Sequence, residues 1–374
     1  RIAVLGCGVI AQVKHLPNLW RLRDRFAVVA ICDIDPAALE QAARWAPSAK
    51  IYTHAQQMFA DADAFEAVLV ASSGSHVAEV TGAARLGKHV FVEKPLALTA
   101  EQGRQLVAEI DGAGIVCMVG YMKRYSPDVR QLVDDASRET LRLVRADLAH
   151  PPEDAYLVAA LGRVRERPTS LLNSVQGQVS TGRCAETLGK TLGPRDSLSS
   201  RVGHFVLATS VVHDINLIRA TLGPRLEVIN AAFWNGGLAG QATLAARSGA
   251  IALLSYAFVE AGSYSEKLVF VGETRRFEAC FPSPYLNHMP LRVRVEDPSV
   301  GLDMPQWFDR EVSYADPFEL ELTAFHNRVV RGDNMPTDAG DGLADLEIIA
   351  EIARKGIDID QGGEENRAGR SRRG

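Results

Sequence analysis

The opening of the chain constrains it most. A short apolar run, Ile2 to Leu5, leads directly into Gly6-Cys7-Gly8-Val9-Ile10-Ala11. The run has the length and composition of a strand buried on both faces, and G-x-G-x-x-A after such a strand is a strand-to-helix turn made of small residues. Gly6 permits the tight turn, Gly8 lets the backbone approach a pyrophosphate, and Ala11 lets the next helix pack closely on the sheet. The first turn of that helix, Val9 and Ile10 included, offers unpaired N–H groups and a positive dipole end to phosphate. Asp33 ends the second apolar run, 22 positions beyond Ala11. A carboxylate there accepts hydrogen bonds from both hydroxyls of an adenosine ribose and repels a 2′-phosphate, so the cofactor is read as NAD, with NADP disfavoured.

Four more short Val- and Ile-rich runs follow before residue 120: Ala27 to Cys32, Ala67 to Ala71, His89 to Val92 and Ile115 to Val119. Helical patterns separate them. Asp35-Pro36 opens one, with Asp as N-cap and Pro at the first helical position. Ser75 to Leu86 forms another and stops at Gly87. Thr99 to Ile110 is a third, with Gln102 as the capping-box partner of Thr99. Strand–helix alternation implies a doubly wound parallel sheet. Ser72, Ser73 and His76 fall in the loop after the Ala67–Ala71 run and are read as further cofactor contacts. His15 and His76 are taken as positioning groups.

Beyond about residue 124 the pattern changes. Arg142 to Ala149 reads as a strand, Val211 to Leu222 as a helix closed by Gly223, and Leu226 to Glu296 as several strands broken by Gly, Pro or Asn, which suggests an antiparallel sheet. Phe318 to Val330 and Gly342 to Lys355 read as helices. Residues 151–202 show little periodicity and read as an irregular insertion, a lid or an oligomer arm. The organisation expected is therefore an α/β chain: an N-terminal Rossmann domain, a doubly wound parallel sheet, over 1–123, and a C-terminal α+β domain with a large open, mostly antiparallel sheet over 124–356. A flexible tail covers 357–374.

Length and composition agree with two domains: 374 residues, 47% hydrophobic and 23% charged. The net charge of −5 is spread along the chain without a basic face, so no nucleic-acid partner is expected. No apolar run is read as approaching the ~18 residues that cross a bilayer, and no membrane partner is expected. The five cysteines, at 7, 32, 117, 184 and 280, have neither metal nor redox spacing. No metal site is expected, and the setting is read as reducing and cytoplasmic. No signal peptide is expected, because the chain opens on a strand.

Gly87-Lys88-His89-Val90-Phe91-Val92-Glu93-Lys94-Pro95-Leu96-Ala97 resembles the signature of the glucose–fructose oxidoreductase / inositol dehydrogenase / rhizopine-catabolism (Gfo/Idh/MocA) family. Ser75-His76 and Glu79 resemble its strand-four loop and helix, and Val119-Gly120-Tyr121-Met122-Lys123-Arg124-Tyr125-Ser126-Pro127 its sixth-strand motif. His213-Asp214-Ile215-Asn216 with Leu222-Gly223 resembles its catalytic helix, and Phe318 to Gly332 its late helix. The resemblance is strong over 1–127, patchy over 203–356 and absent over 151–202.

The resemblance implies an NAD(P)-dependent oxidoreductase that moves hydride between nicotinamide and a ring hydroxyl or ketone of a sugar, cyclitol or sugar derivative. It implies a small polyhydroxylated substrate and a homodimer or homotetramer. Lys94 carries over as the group that hydrogen-bonds the reacting hydroxyl and shares its proton, with Glu93 orienting Lys94 or the nicotinamide ribose. His213 carries over as the proton relay, its ordinary pKa suiting exchange near neutrality. Asn216, three residues on and on the same helix face, stands where the family often has Asp. Lys123 and Tyr121 are placed near the substrate, Lys123 and Arg124 as possible anion binders. Thr209 departs from inositol-dehydrogenase-like members, which carry Asp four residues before the His. That departure keeps two alternatives open: a reductase of a non-sugar substrate, and a non-catalytic dinucleotide-binding sensor or repressor of the same fold.

Overall fold

A computed structural model of the chain describes residues 1–151, 171–260, 262–287, 289–297 and 306–360. The chain divides into two units. The first contains Arg1–Pro127 and Ala315–Leu346; the second contains the described residues of Asp128–Ala159, Arg163–Tyr314 and Glu347–Gly374.

The first unit is built on six strands: β1 (Ile2–Leu5), β2 (Val28–Cys32), β3 (Lys50–Tyr52), β4 (Ala67–Val70), β5 (His89–Glu93) and β6 (Cys117–Gly120). All pairings are parallel, in the order β3-β2-β1-β4-β5-β6. Every residue of β1 and β4 is buried, which explains why these strands read as continuous apolar runs instead of alternating ones. The helix starts follow their caps. Asp35 accepts from the Ala37 N–H at helix Pro36–Ala43, and Thr99 accepts from the Gln102 N–H at helix Ala100–Ala113. Gln102 reaches back to the Leu98 N–H at 3.3 Å, one residue earlier than a capping box places it. Strand β3 is three residues long with two exposed, too short to leave a period in the sequence.

Sequence assigned the late helix to the second domain, but Pro317–Arg331 lies in the first unit, where Leu322 and Phe325 join Ile2, Val4 and Phe91 in one buried cluster. Both residues are essentially inaccessible, so this helix supplies core that the first 127 residues lack.

The second unit carries a nine-stranded sheet from β7 (Leu141–His150), β8 (Leu226–Trp234), β9 (Ala239–Ala246), β10 (Ile251–Phe258), β11 (Ser265–Gly272), β12 (Arg276–Phe281), β13 (Arg292–Asp297), β14 (Gln306–Asp309) and β15 (Gly356–Asp358). The order is β14-β13-β12-β11-β7-β10-β9-β8-β15, antiparallel except where β7 meets β10 and β8 meets β15. Burial alternates along β9, β10 and β12, so one face is apolar and packed. Phe233 lies in that face, fully buried, in a socket lined by three glycines. A Cβ on Gly203, Gly240 or Gly356 would stand 2.7, 2.9 or 2.2 Å from its ring.

Three expectations are corrected. Residues 171–202, read as irregular, form helices Leu171–Ser180 and Gly182–Leu192 and the start of Leu198–Val206. Glycines at 177, 182, 189 and 193 broke the apparent period, yet helix Gly182–Leu192 still buries Ala185, Leu188 and Leu192 along one stripe. Residues 152–170 of that stretch lie outside the described residues. The tail is not unstructured from 357: β15 pairs with β8, and the Asp360 carboxylate accepts from the Gly236 N–H at 2.8 Å, while 361–374 lie outside the described residues. Finally, Leu198–Leu222 is a continuous helix of 25 residues, long and apolar enough by composition to cross a bilayer, and 78% of its most apolar window is buried inside the protein. Burial of that extent marks a core helix, whose apolar surface is already covered.

Candidate functional site

Parallel strands bring the loops after β1, β2, β4 and β5 to one edge of the first sheet, where the strand order reverses between β1 and β4. Crevices at such reversals are the usual ligand sites of open α/β sheets. Gly6 has φ +92°, and a Cβ on it would stand 2.2 Å from the Ser72 backbone nitrogen, so only glycine lets these two loops cross. Gly8 differs: a Cβ there would meet nothing within 4 Å, and its backbone faces open room. Ala11 is fully buried where the helix begins to pack.

Asp33 connects the loop to the second strand. Its Oδ2 accepts from the Cys7 N–H at 2.6 Å and its Oδ1 from the Asp35 N–H at 2.9 Å. The hydroxyl oxygens of Ser72 and Ser75 are buried and have no hydrogen-bond partner among the described residues. Open space over Gly8, a carboxylate at the ribose position and orphaned hydroxyls fit a dinucleotide. The N–H groups around Gly8, Val9 and Ile10 would hold its pyrophosphate, and Asp33 its ribose. Ser73 is exposed on the same β4 loop.

His76, read both as a cofactor contact and as a positioning group, bridges two loops. Its Nδ1 lies 2.7 Å from the Pro95 carbonyl and its Nε2 2.7 Å from the Ser72 carbonyl. With both ring nitrogens engaged and 1% of the residue exposed, His76 ties the β4 loop to the β5 loop and offers no polar atom to a cofactor.

Glu93, the last residue of β5, is buried. Its Oε1 lies 2.6 Å from His15 Nε2, and its Oε2 accepts from the Lys94 N–H at 3.2 Å. Burial alone would raise its pKa, but the hydrogen bond from His15 and the charges of His15, Lys94 and His76 outweigh burial and hold it below the ordinary value. Gly120 makes room for it, since a Cβ there would stand 3.3 Å from the carboxyl carbon. Lys94 is partly exposed just beyond, at the carboxyl edge.

Tyr121, read near the substrate, is 1% exposed in this structure. Lys123 is buried on the 3₁₀ turn Met122–Tyr125. His213, Asp214 and Asn216 belong to the second unit, buried on helix Val212–Leu222. Thr209 sits in the π-helical turn Leu207–Val211, and its hydroxyl donates to the Phe205 carbonyl at 2.8 Å. That proton is spent inside the helix, so Thr209 meets other groups as an acceptor. All five cysteines are free. Burial pushes the thiols of Cys7 and Cys117 up to about 12 and that of Cys32 to about 11, which keeps them from acting as thiolates.

Glu321 carries a signal in the sequence as well as in the fold. Glu321 is fully buried on helix Pro317–Arg331 beside His15 and Glu93. It falls at an apolar-stripe position, Phe318 plus three, between Phe318 and Leu322. A carboxylate on the core stripe of a helix is the anomaly that marks it.

Fold and loop chemistry thus define a dinucleotide-binding Rossmann protein. Residues 1–121 match the Gfo/Idh/MocA oxidoreductase family model, an NAD-binding Rossmann fold. The inositol 2-dehydrogenase of Burkholderia multivorans is 42% identical over 135 residues, which are 35% of this chain and 40% of that protein. An inositol 2-dehydrogenase/D-chiro-inositol 3-dehydrogenase of Lacticaseibacillus casei is 34% identical over 134 residues, 35% of this chain and 38% of that one. The match thus spans about two fifths of these relatives' length. Among solved structures, KijD10, a 3-ketoreductase from Actinomadura kijaniata in complex with NADP and TDP-benzene, superposes with a TM-score of 0.72 at 22% identity, over 96% of this chain and 98% of that chain. A putative myo-inositol dehydrogenase from Sinorhizobium meliloti gives 0.66 at 19% identity, over 95% and 98%. At these identities the likeness establishes the fold of both units.

Proposed function

We propose that the protein is an NAD(P)-dependent oxidoreductase acting on a ring hydroxyl or ketone of a sugar, cyclitol or sugar derivative. The observation that carries this reading is Lys94, whose backbone N–H is held by a buried Glu93 at the same carboxyl edge of the sheet that carries the glycine loop. When bound, the nicotinamide supplies the hydride acceptor or donor. The Lys94 ammonium donates a hydrogen bond to the substrate oxygen, steadies the negative charge that develops there and shares its proton. His213 relays that proton as general base in oxidation and general acid in reduction. Asn216, Thr209 and Lys123 contact the substrate as neutral or cationic hydrogen-bonding groups. Asp33 favours NAD over NADP. Five free cysteines agree with a cytoplasmic setting, and the half-exposed face of the nine-stranded sheet suits assembly as a homodimer or homotetramer.

The test is to titrate the protein with NADH and NADPH by fluorescence, then assay sugars and cyclitols with NAD. Turnover that falls by about 100- to 10,000-fold in Lys94→Ala, with NADH affinity kept, supports the reading. Tight binding without turnover on any polyol moves it to the sensor or the non-sugar reductase.

A further inference from the structure

Three ionisable side chains meet in the core of the first unit behind Lys94. His15, Glu93 and Glu321 are 0%, 6% and 0% exposed, and their ligand-type atoms lie within 4.8 Å of one another. The rings of Phe91 and Phe318 stand edge-on to His15 at 5.3 and 5.8 Å and close the cluster off from water. The set is not shaped for a metal. Two ligands of a tetrahedral zinc stand roughly 3.3 Å apart, given bond lengths near 2.0–2.2 Å, whereas His15 Nε2 and Glu93 Oε1 are 2.6 Å apart and share a proton.

We propose that His15 is a positioning residue for Lys94, acting through Glu93, and that Glu321 stays a neutral acid, so that the three buried groups present a single carboxylate to the lysine. The connection runs to the Lys94 main chain: His15 holds Glu93 Oε1, Glu93 Oε2 accepts from the Lys94 backbone N–H, and the ammonium one side chain further on feels the same carboxylate through its charge. Both oxygens of Glu321 lack a hydrogen-bond partner among the described residues, a state that costs a buried carboxylate far more than a neutral acid. Burial, then the charges of Glu93 and Asp316, push Glu321 well above the usual carboxyl range. The titratable groups facing the cluster are Lys94 and His76 from the loops, Asp316 on the cap of the late helix, and Tyr125, on which Glu321 acts. Because the Lys94 charge favours ionised Glu93, ionised Glu93 equally favours protonated Lys94. The cluster therefore sets how readily Lys94 gives up its proton.

This inference rests on Lys94 being the proton-sharing group, and its test needs no turnover. The full-length protein is treated with acetic anhydride over a range of pH, and acylation of the Lys94 amine is read on its peptide by mass spectrometry. In His15→Ala, Glu93 loses the donor that keeps it ionised, and the Lys94 midpoint falls by about one pH unit or more. His15→Gln, which keeps an N–H at similar reach, returns it toward wild type. Glu93→Gln lowers it likewise and carries the test if His15→Ala does not fold. Glu321→Gln leaves the midpoint in place. A midpoint indifferent to Glu93→Gln overturns the proposal. So does a downward shift in Glu321→Gln, which would make Glu321 a second anion. Where turnover is found, the kcat pH profile moves with the midpoint while NADH affinity holds; equal losses of both in His15→Ala would mark a merely structural histidine.

Discussion

The Cys7 N–H donates to the Asp33 carboxylate at 2.6 Å, so the side chain proposed to hold the cofactor's ribose also braces the glycine loop. A carboxylate has about four lone-pair sites, and the bonds from Cys7 and Asp35 leave acceptor capacity for a ribose. On the proposed reading, support of the loop and selection of the cofactor would be combined in one residue.

Asp33→Asn separates them. The amide oxygen can still accept from Cys7, while the charge that repels a 2′-phosphate is gone. NADH affinity should fall by about tenfold or more, in line with a lost charge-assisted hydrogen bond, and the NADPH-to-NADH affinity ratio should rise. Fluorescence titration of both cofactors decides it; an unchanged ratio would leave Asp33 a brace only.

Gly6 and Gly8 should fail in different ways. Alanine at Gly6 meets the Ser72 backbone and a positive φ, so unfolding free energy drops by about 3 kcal/mol or more. Alanine at Gly8 meets no protein atom within 4 Å, so the melting temperature holds while the methyl group fills the pyrophosphate's room and NADH binding is lost. Calorimetry beside cofactor titration separates the two; equal melting points would contradict the crossing of loops at Gly6.

Glu321 should leave a mark on stability against pH. Its folded pKa is raised above the unfolded value of about 4.3. Its contribution is therefore full below that unfolded value and is lost as pH rises through the folded one. Glu321→Gln removes the titration, so its melting temperature relative to wild type should climb with pH. Parallel curves across the range would mean that Glu321 ionises in the folded protein much as it does unfolded.

Phe233 should be among the most sensitive core positions of the second unit. Phe233→Ala empties the glycine socket and costs about 3–5 kcal/mol. Gly203→Ala pushes a methyl into the ring and costs about 1–3 kcal/mol. Denaturant titration measures both, and near-neutral values would mean the surrounding strands relax freely.

The first sheet was legible because its strands are buried on both faces and its loops carry chemistry at fixed offsets. Gly6, Asp33, Asp35 and Thr99 each do locally what their residue type does best. What escaped was set by long-range packing. Nothing near Tyr121 or His76 in sequence says that both are sealed inside, and Thr337, whose carbonyl accepts from the Val119 N–H at 2.8 Å, is more than two hundred residues away. The helices in 171–202 were hidden by glycines that end or interrupt them. The anomaly at Glu321 was visible, but its partners come from β5 and the first helix, which only the fold brings together.

The late helix Pro317–Arg331 has a consequence for how the protein is made. Leu322 and Phe325 complete the core around Ile2, Val4 and Phe91, so the unit begun by Arg1–Pro127 is closed by a helix synthesised after most of the other unit. A ribosome working at 5–20 residues per second needs roughly 10–40 s between residue 127 and that helix. For that interval the newborn Rossmann sheet has one flank uncovered, and its folding is timed by translation of the other unit.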